Sequence, residues 1–155
     1  MLSDNKILPN IGFGNIKFGV AMDVFVEKYG EPEEVDTIGE DEDYATTVLH
    51  YWEQSLSIFF VGVSNPVLTG IETDHPDSML FGEKIMDKSK EDIIALMKKN
   101  GLSSYDEGDD EFVAENEIIR VSYEESMMDF FFQDNQLIFM NFGVMVDDNG
   151  NIEKV

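Results

Sequence analysis

The side chains in this chain best suited to both moving a proton near neutral pH and holding a cation are two histidines and 33 aspartates and glutamates; cysteine is absent. Without cysteine, thiol catalysis and Cys-based zinc or iron–sulfur sites are excluded. His50 and His75 form no His-x-x-x-His pair, and neither has an Asp or Ser partner at a telling spacing. His50, between Leu49 and Tyr51, reads as a plain strand position, and His75, beside Pro76, as a solvated loop residue. With so many carboxylates, close pairs are inevitable and say nothing about acid–base catalysis. The run Asp106-Glu107-Gly108-Asp109-Asp110-Glu111 could attract Ca²⁺. Its ligands are consecutive and its glycine is misplaced for an EF-hand, so it reads as a solvated loop. Gly12-Phe13-Gly14 lacks the rest of a phosphate-binding fingerprint and reads as a turn. The expectation is a protein with no catalytic residues, no metal and no cofactor.

Charge points instead to a binding partner. Ten basic residues against 33 acidic ones give a formal charge of −23. Nucleic acid and anionic membranes are disfavoured, because their phosphates would be repelled and few Lys or Arg are present to displace counterions. Such a field favours fast, salt-sensitive capture of a basic protein. The plainer reading is that acidity keeps the protein soluble.

The elements that would carry these charges belong to one domain over residues 1–155. That length, with 43% apolar residues and 12 Phe, is enough for an aromatic-rich core. Residues 1–9 are mixed and polar, and no window approaches the length of a bilayer span, so a cytoplasmic location is expected.

A gapless shift of 71 residues superposes two segments, giving internal repeats at about 14–74 and 82–145. Met22, Phe25, Val26 and Tyr29 fall on Ile93, Leu96, Met97 and Asn100, and Gly30 on Gly101. Apolar residues at i, i+3, i+4 and i+7 predict a helix in each copy, ended by Gly30 or Gly101. Ser89 and Asp92 begin the second helix; the first starts near Ala21. The acidic stretches 31–43 and 103–111 read as loops. Strands are predicted at 45–52, 56–63 and 67–73, and at 117–123, 127–133 and 137–144. Asp134-Asn135 accepts the positive φ angles of a two-residue hairpin. The resulting fold class is α+β: two tandem helix-plus-three-strand repeats sharing one antiparallel sheet, with the helices on one face.

The run Ile16-Lys17-Phe18-Gly19-Val20, followed by the helix and Tyr29-Gly30-Glu31-Pro32-Glu33, resembles the opening of SmpA/OmlA (BamE-like) modules. A tandem pair of such modules resembles the β-lactamase-inhibitory-protein fold. The chain departs from that pattern: Ala21 or Met22 stands where a Ser usually starts the helix, and Gly101-Leu102-Ser103 lacks the proline. The lipoprotein cysteine is also missing. The resemblance implies protein binding through the sheet face opposite the helices, with no catalytic residues to carry over.

Both faces of the strands carry large apolar groups, so one face is a candidate interface. The 71-residue shift sets Leu56, Ile58 and Phe60 against Met127, Asp129 and Phe131. An aspartate on the helix-covered side would be costly to bury, so Asp129 should point outward with Phe131 and Phe60, leaving Phe59 and Phe130 inward. Alternatively, the copies differ in register by one residue. The acidic stretches Glu40-Asp41-Glu42-Asp43 and Asp109-Asp110-Glu111 occupy equivalent places and should border that face. With Phe60, Asp129 and Phe131 they form the candidate docking site. The expected function is an acidic inhibitor of the immunity or antitoxin type, whose partner is a basic protein such as a nuclease toxin. The alternative is a self-associating scaffold, for instance a homodimer, without inhibitory role. A metal-assisted hydrolase built on clustered carboxylates is the least supported reading.

Overall fold

The computed structural model describes residues 4–39, 45–62, 64–109 and 118–146, and Ile152. Three short strands open the chain, β1 (Lys6–Leu8), β2 (Gly12–Phe13) and β3 (Ile16–Lys17), followed by helix α1 (Met22–Tyr29). Next come β4 (Glu34–Ile38), β5 (Thr46–Tyr51), β6 (Leu56–Val61) and β7 (Val67–Thr73), with a 3-10 turn at Trp52–Gln54. The second half holds β8 (Met79–Leu80), β9 (Glu83–Lys84) and helix α2 (Lys90–Lys99). It ends with β10 (Asp106–Asp109), β11 (Ile118–Tyr123), β12 (Met128–Gln133) and β13 (Gln136–Gly143).

The expected α+β class is overturned. Among the described residues the protein is mostly β, with two sheets rather than one: five strands in the order β3-β2-β1-β8-β9, and eight in the order β10-β11-β12-β13-β7-β6-β5-β4. Each half gives four strands to the larger sheet, not three. The extra strands, β4 and β10, lie in the acidic stretches that composition assigns to loops. Among the described residues they are the two edges of the sheet and pair on one side only, where charged side chains are tolerated. The smaller sheet consists of strands two or three residues long, too short for any periodicity to register.

The helices follow the local signals. The Ser89 hydroxyl accepts from the Asp92 N–H (3.1 Å), acidic residues fill the first turn of α2, and Lys98 and Lys99 its last, all suited to the helix dipole. α1 starts after Ala21 with no side-chain cap and stops at Gly30, whose φ of 91° is open to glycine at little cost. Asp134 and Asn135 both have positive φ and make the tight turn between β12 and β13.

From β4 to β6 the strand geometry repeats 72 residues on in β10 to β12, one more than in the helices, while β7 repeats in β13 at 69. Tyr51 and Tyr123 are both buried, Ser55 and Met127 are both left-handed, and the ladder is irregular at Phe59/Phe60 and again at Phe131/Phe132. The inward set is therefore Leu56, Ile58 and Phe60 in one half and Met128, Phe130 and Phe132 in the other. One core row crosses the large sheet through Leu49, Ile58, Ile71, Phe142, Met128 and Tyr123, each paired directly with the next. Phe25 of α1, Ile93, Leu96 and Met97 of α2, and Ile7, Phe13, Ile16 and Leu80 of the small sheet join the same cluster. Edge-to-face contacts of Phe25 with Tyr51 and Phe60, and of Phe13 with Phe142, lock these layers.

Candidate functional site

Because side chains alternate along a strand, the same pairings that build the core row build a second row on the other face. It runs Glu34, His50, Ser57, Glu72, Asn141, Asp129, Ser122, Asp106, each residue directly opposite the next, one from every strand of the large sheet. None of these residues belongs to the core cluster, and neither do Val48 and Phe131 beside them, although both are buried.

Aromatic groups flank this polar row. Phe131 stacks on Phe139 with ring centroids 4.3 Å apart and planes 14° apart. At the other end Trp52, 55% exposed, stacks on His50 at 4.3 Å and 10°. Two hollows open beside the row. One, of about 220 Å³, is lined by Trp52, Ser57, Glu72, Asp74 and Phe139; the other, of about 280 Å³, by Phe59, Gly70, Met127, Asp129, Asn141 and Gly143. The second exists because glycine occupies both sides of the junction between the halves. A Cβ on Gly143 would lie 2.4 Å from the Thr69 carbonyl oxygen.

Burial pushes the Glu72 carboxyl above its usual range and nearby Asp74 adds to this; a hydrogen bond with Asn141 and the nearness of His50 work in the opposite direction. His50 is held from both sides: Nδ1 lies 2.7 Å from the Ser57 hydroxyl and Nε2 2.7 Å from the Asp36 carboxylate. Sequence spacing offered His50 no partner, since Asp36 comes from the edge strand 14 residues away.

Serine, imidazole and carboxylate in hydrogen-bonded sequence also make up a hydrolase relay. Here Ser57 is only 4% exposed, lying beneath the face. Its strand is paired on both sides, with His50 and with Glu72, so the local backbone N–H groups are committed to the ladder and offer no oxyanion hole. The arrangement orients the imidazole.

Of the residues expected to bind a partner, Asp129 and Phe131 lie together on this face, although Phe131 is largely covered. Phe60 does not: it is fully buried against Phe25, and Phe59 takes the outward place. Asp109 closes β10, while Glu40, Asp41, Glu42, Asp43, Asp110 and Glu111 lie outside the described residues. Glu72, Asn141, His50, Trp52 and Phe139 were missed. Strand alternation alone could have found the first two, since Glu72 follows Ile71 and Asn141 stands between Met140 and Phe142.

No protein-family model matches the sequence, and no curated protein matches it. A solved structure of an extracellular protein containing a SCP domain from Bacillus anthracis str. Ames is similar over 96% of this chain and 48% of its own, with 17% identity and a TM-score of 0.47. This chain thus spans about half the length of that protein. The likeness is too slight to carry an argument. Among the described residues no helix is long and apolar enough to cross a membrane.

Proposed function

We propose that this chain is a non-catalytic protein-binding module that docks a basic partner on the face of the eight-stranded sheet opposite the helices. The observation that carries this reading is the polar row itself. Glu34, Glu72, Asp129 and Asp106 recur across the sheet, with Asp36 and Asp74 beside them, and Arg120 is the cation adjoining Phe131. Trp52, Phe59 and Phe139 supply apolar anchors between the charges, the composition of a binding surface with an aromatic centre and a charged rim. The net charge of −23 would steer a cationic partner toward it. The likeness of residues 16–20 and 29–33 to SmpA/OmlA modules supports the same face. Inhibition of a basic enzyme is one role this contact would serve.

The test places a photo-cross-linking residue at Phe139 in one variant and at Lys99, on α2, in another, and exposes each to native lysate. The expected result is a basic protein cross-linked from position 139 only, released by about 0.5 M salt through screening. That capture should be lost in the double variant Glu72→Lys, Asp129→Lys. Cross-linking from position 99, or capture indifferent to the charge reversal, would refute the proposal.

A further inference from the structure

At the β4 edge of this face the structure brings together a set of side chains with a different chemistry. Glu34 and His50 are direct cross-strand neighbours, and Asp36 follows two residues along the same face of β4. One carboxylate oxygen of Glu34, one of Asp36 and a ring nitrogen of His50 all lie within 4.8 Å of one another, and Nε2 is 2.7 Å from the Asp36 carboxylate. We propose that Glu34, Asp36 and His50 form a binding site for a divalent first-row transition cation of the Zn²⁺ or Co²⁺ type.

Three acidic groups at a surface would not justify this, but an imidazole held in advance does. The His50 ring is clamped flat against Trp52, and its Nδ1 is fixed by the Ser57 hydroxyl, which is itself buried. Its Nε2 is thereby turned toward the two carboxylates. A metal-bound imidazole needs its second nitrogen protonated and hydrogen-bonded, and outer partners of that kind commonly set ring orientation in metal sites. A serine hydroxyl both donates and accepts, so Ser57 can hold the ring when Nδ1 is bare and when it carries the proton released from Nε2.

Geometry sets what must move. Zinc–nitrogen and zinc–oxygen bonds are about 2.0–2.2 Å, so two ligands of one ion stand no more than about 4.4 Å apart. The ligand atoms, already within 4.8 Å of one another, need at most a slight closing to meet that limit. Glu34 and Asp36 are exposed on an edge strand and can swing without disturbing the core. One nitrogen and two carboxylate ligands select borderline cations over Ca²⁺ and Mg²⁺, which prefer all-oxygen shells. Three protein ligands leave positions free for water or for a donor from a docked molecule.

The test is calorimetric titration of the tag-free full chain with Zn²⁺, paired with the visible spectrum on adding Co²⁺. One site is expected, with a Co²⁺ band diagnostic of nitrogen ligation that excess Ca²⁺ does not displace. His50→Gln and Glu34→Gln should each weaken that site by at least about tenfold, and Ser57→Ala by about 10–100-fold. His75→Gln should leave it unchanged. Glu34 is exposed, so its variant isolates ligation from folding. Uptake unaffected by Ser57→Ala and His50→Gln, or displaced by equimolar Ca²⁺, would reveal only a diffuse acidic surface and overturn the proposal. Absence of uptake would do the same.

Discussion

Tyr51 and Tyr123 occupy corresponding places in the two halves of the sheet, yet their hydroxyls have opposite fates. The Tyr51 hydroxyl donates to the Gly30 carbonyl at 2.8 Å, tying β5 to the end of α1. The Tyr123 hydroxyl is buried with no hydrogen-bond partner among the described residues, its ring packed against Tyr105 and Phe130. Removing each hydroxyl should change stability with opposite sign. Tyr51→Phe deletes a made hydrogen bond and costs about 1 kcal/mol; the carbonyl left behind stands at a partly exposed helix end where water can replace the donor. Tyr123→Phe deletes a polar group desolvated without compensation, and should stabilise by about 1 kcal/mol. The two variants should thus differ by about 2 kcal/mol, or roughly 4–8 °C in Tm for a chain of this size. Urea unfolding at pH 7, with equal slopes for both variants, measures it. A loss of similar size in both would refute the reasoning, because the Tyr123 hydroxyl would then have to be satisfied.

The same two groups predict behaviour in alkali: burial pushes both phenols up to about 12, helped by Glu31 and Glu33 at Tyr51 and by Tyr105 at Tyr123. The unfolded chain loses these protons near pH 10 and the folded chain only near 12, so stability should fall between those values, read by unfolding at a series of pH values. Glu72→Gln should stabilise the fold at neutral pH, since burial disfavours the ionised carboxylate. The gain should shrink as pH falls through the raised folded value and vanish below the unfolded value of about 4.3; a constant gain would exclude a charge effect. Phe60→Ala should cost about 3–5 kcal/mol, as a fully buried ring facing α1, while Trp52→Ala, at an exposed site, should cost far less. Gly143→Ala should cost about 1–3 kcal/mol, because the new methyl meets the Thr69 backbone across the junction; a neutral result in thermal unfolding would mean that β7 and β13 yield there.

What could be read from the sequence was what local chemistry decides. The Ser89 cap, the glycines that end the helices and the Asp134-Asn135 turn depend on neighbours within a few positions, and each stands where those residues place it. The sheet edges were illegible for the opposite reason. Glu34, Asp36, Asp106 and Glu107 have poor strand preference and become strands because β5 and β11 present them with a ladder. The faces were assigned wrongly at Phe60 because the helices and strands repeat at different intervals. A single extra residue between Gly101 and Tyr123, relative to Gly30 and Tyr51, inverts the side chains of β11 and β12 if it is overlooked, whereas the shorter turn before β13 brings that strand back into phase. That parity is what sets Asp129 in the place of Ser57 and Asp106 in the place of Glu34 along the polar row.

The two outermost strands have one further consequence. Among the described residues, β4 and β10 end the sheet with unpaired backbone along one side, the form in which β-proteins polymerise strand by strand. Their carboxylates repel the matching strand of another molecule, while Val35 and Ile38 on β4 are more than half exposed and would otherwise welcome it. That protection lasts only while the acids are ionised. In solutions acid enough to neutralise them, monomers should add end to end into fibrils, with β4 as the growing tip.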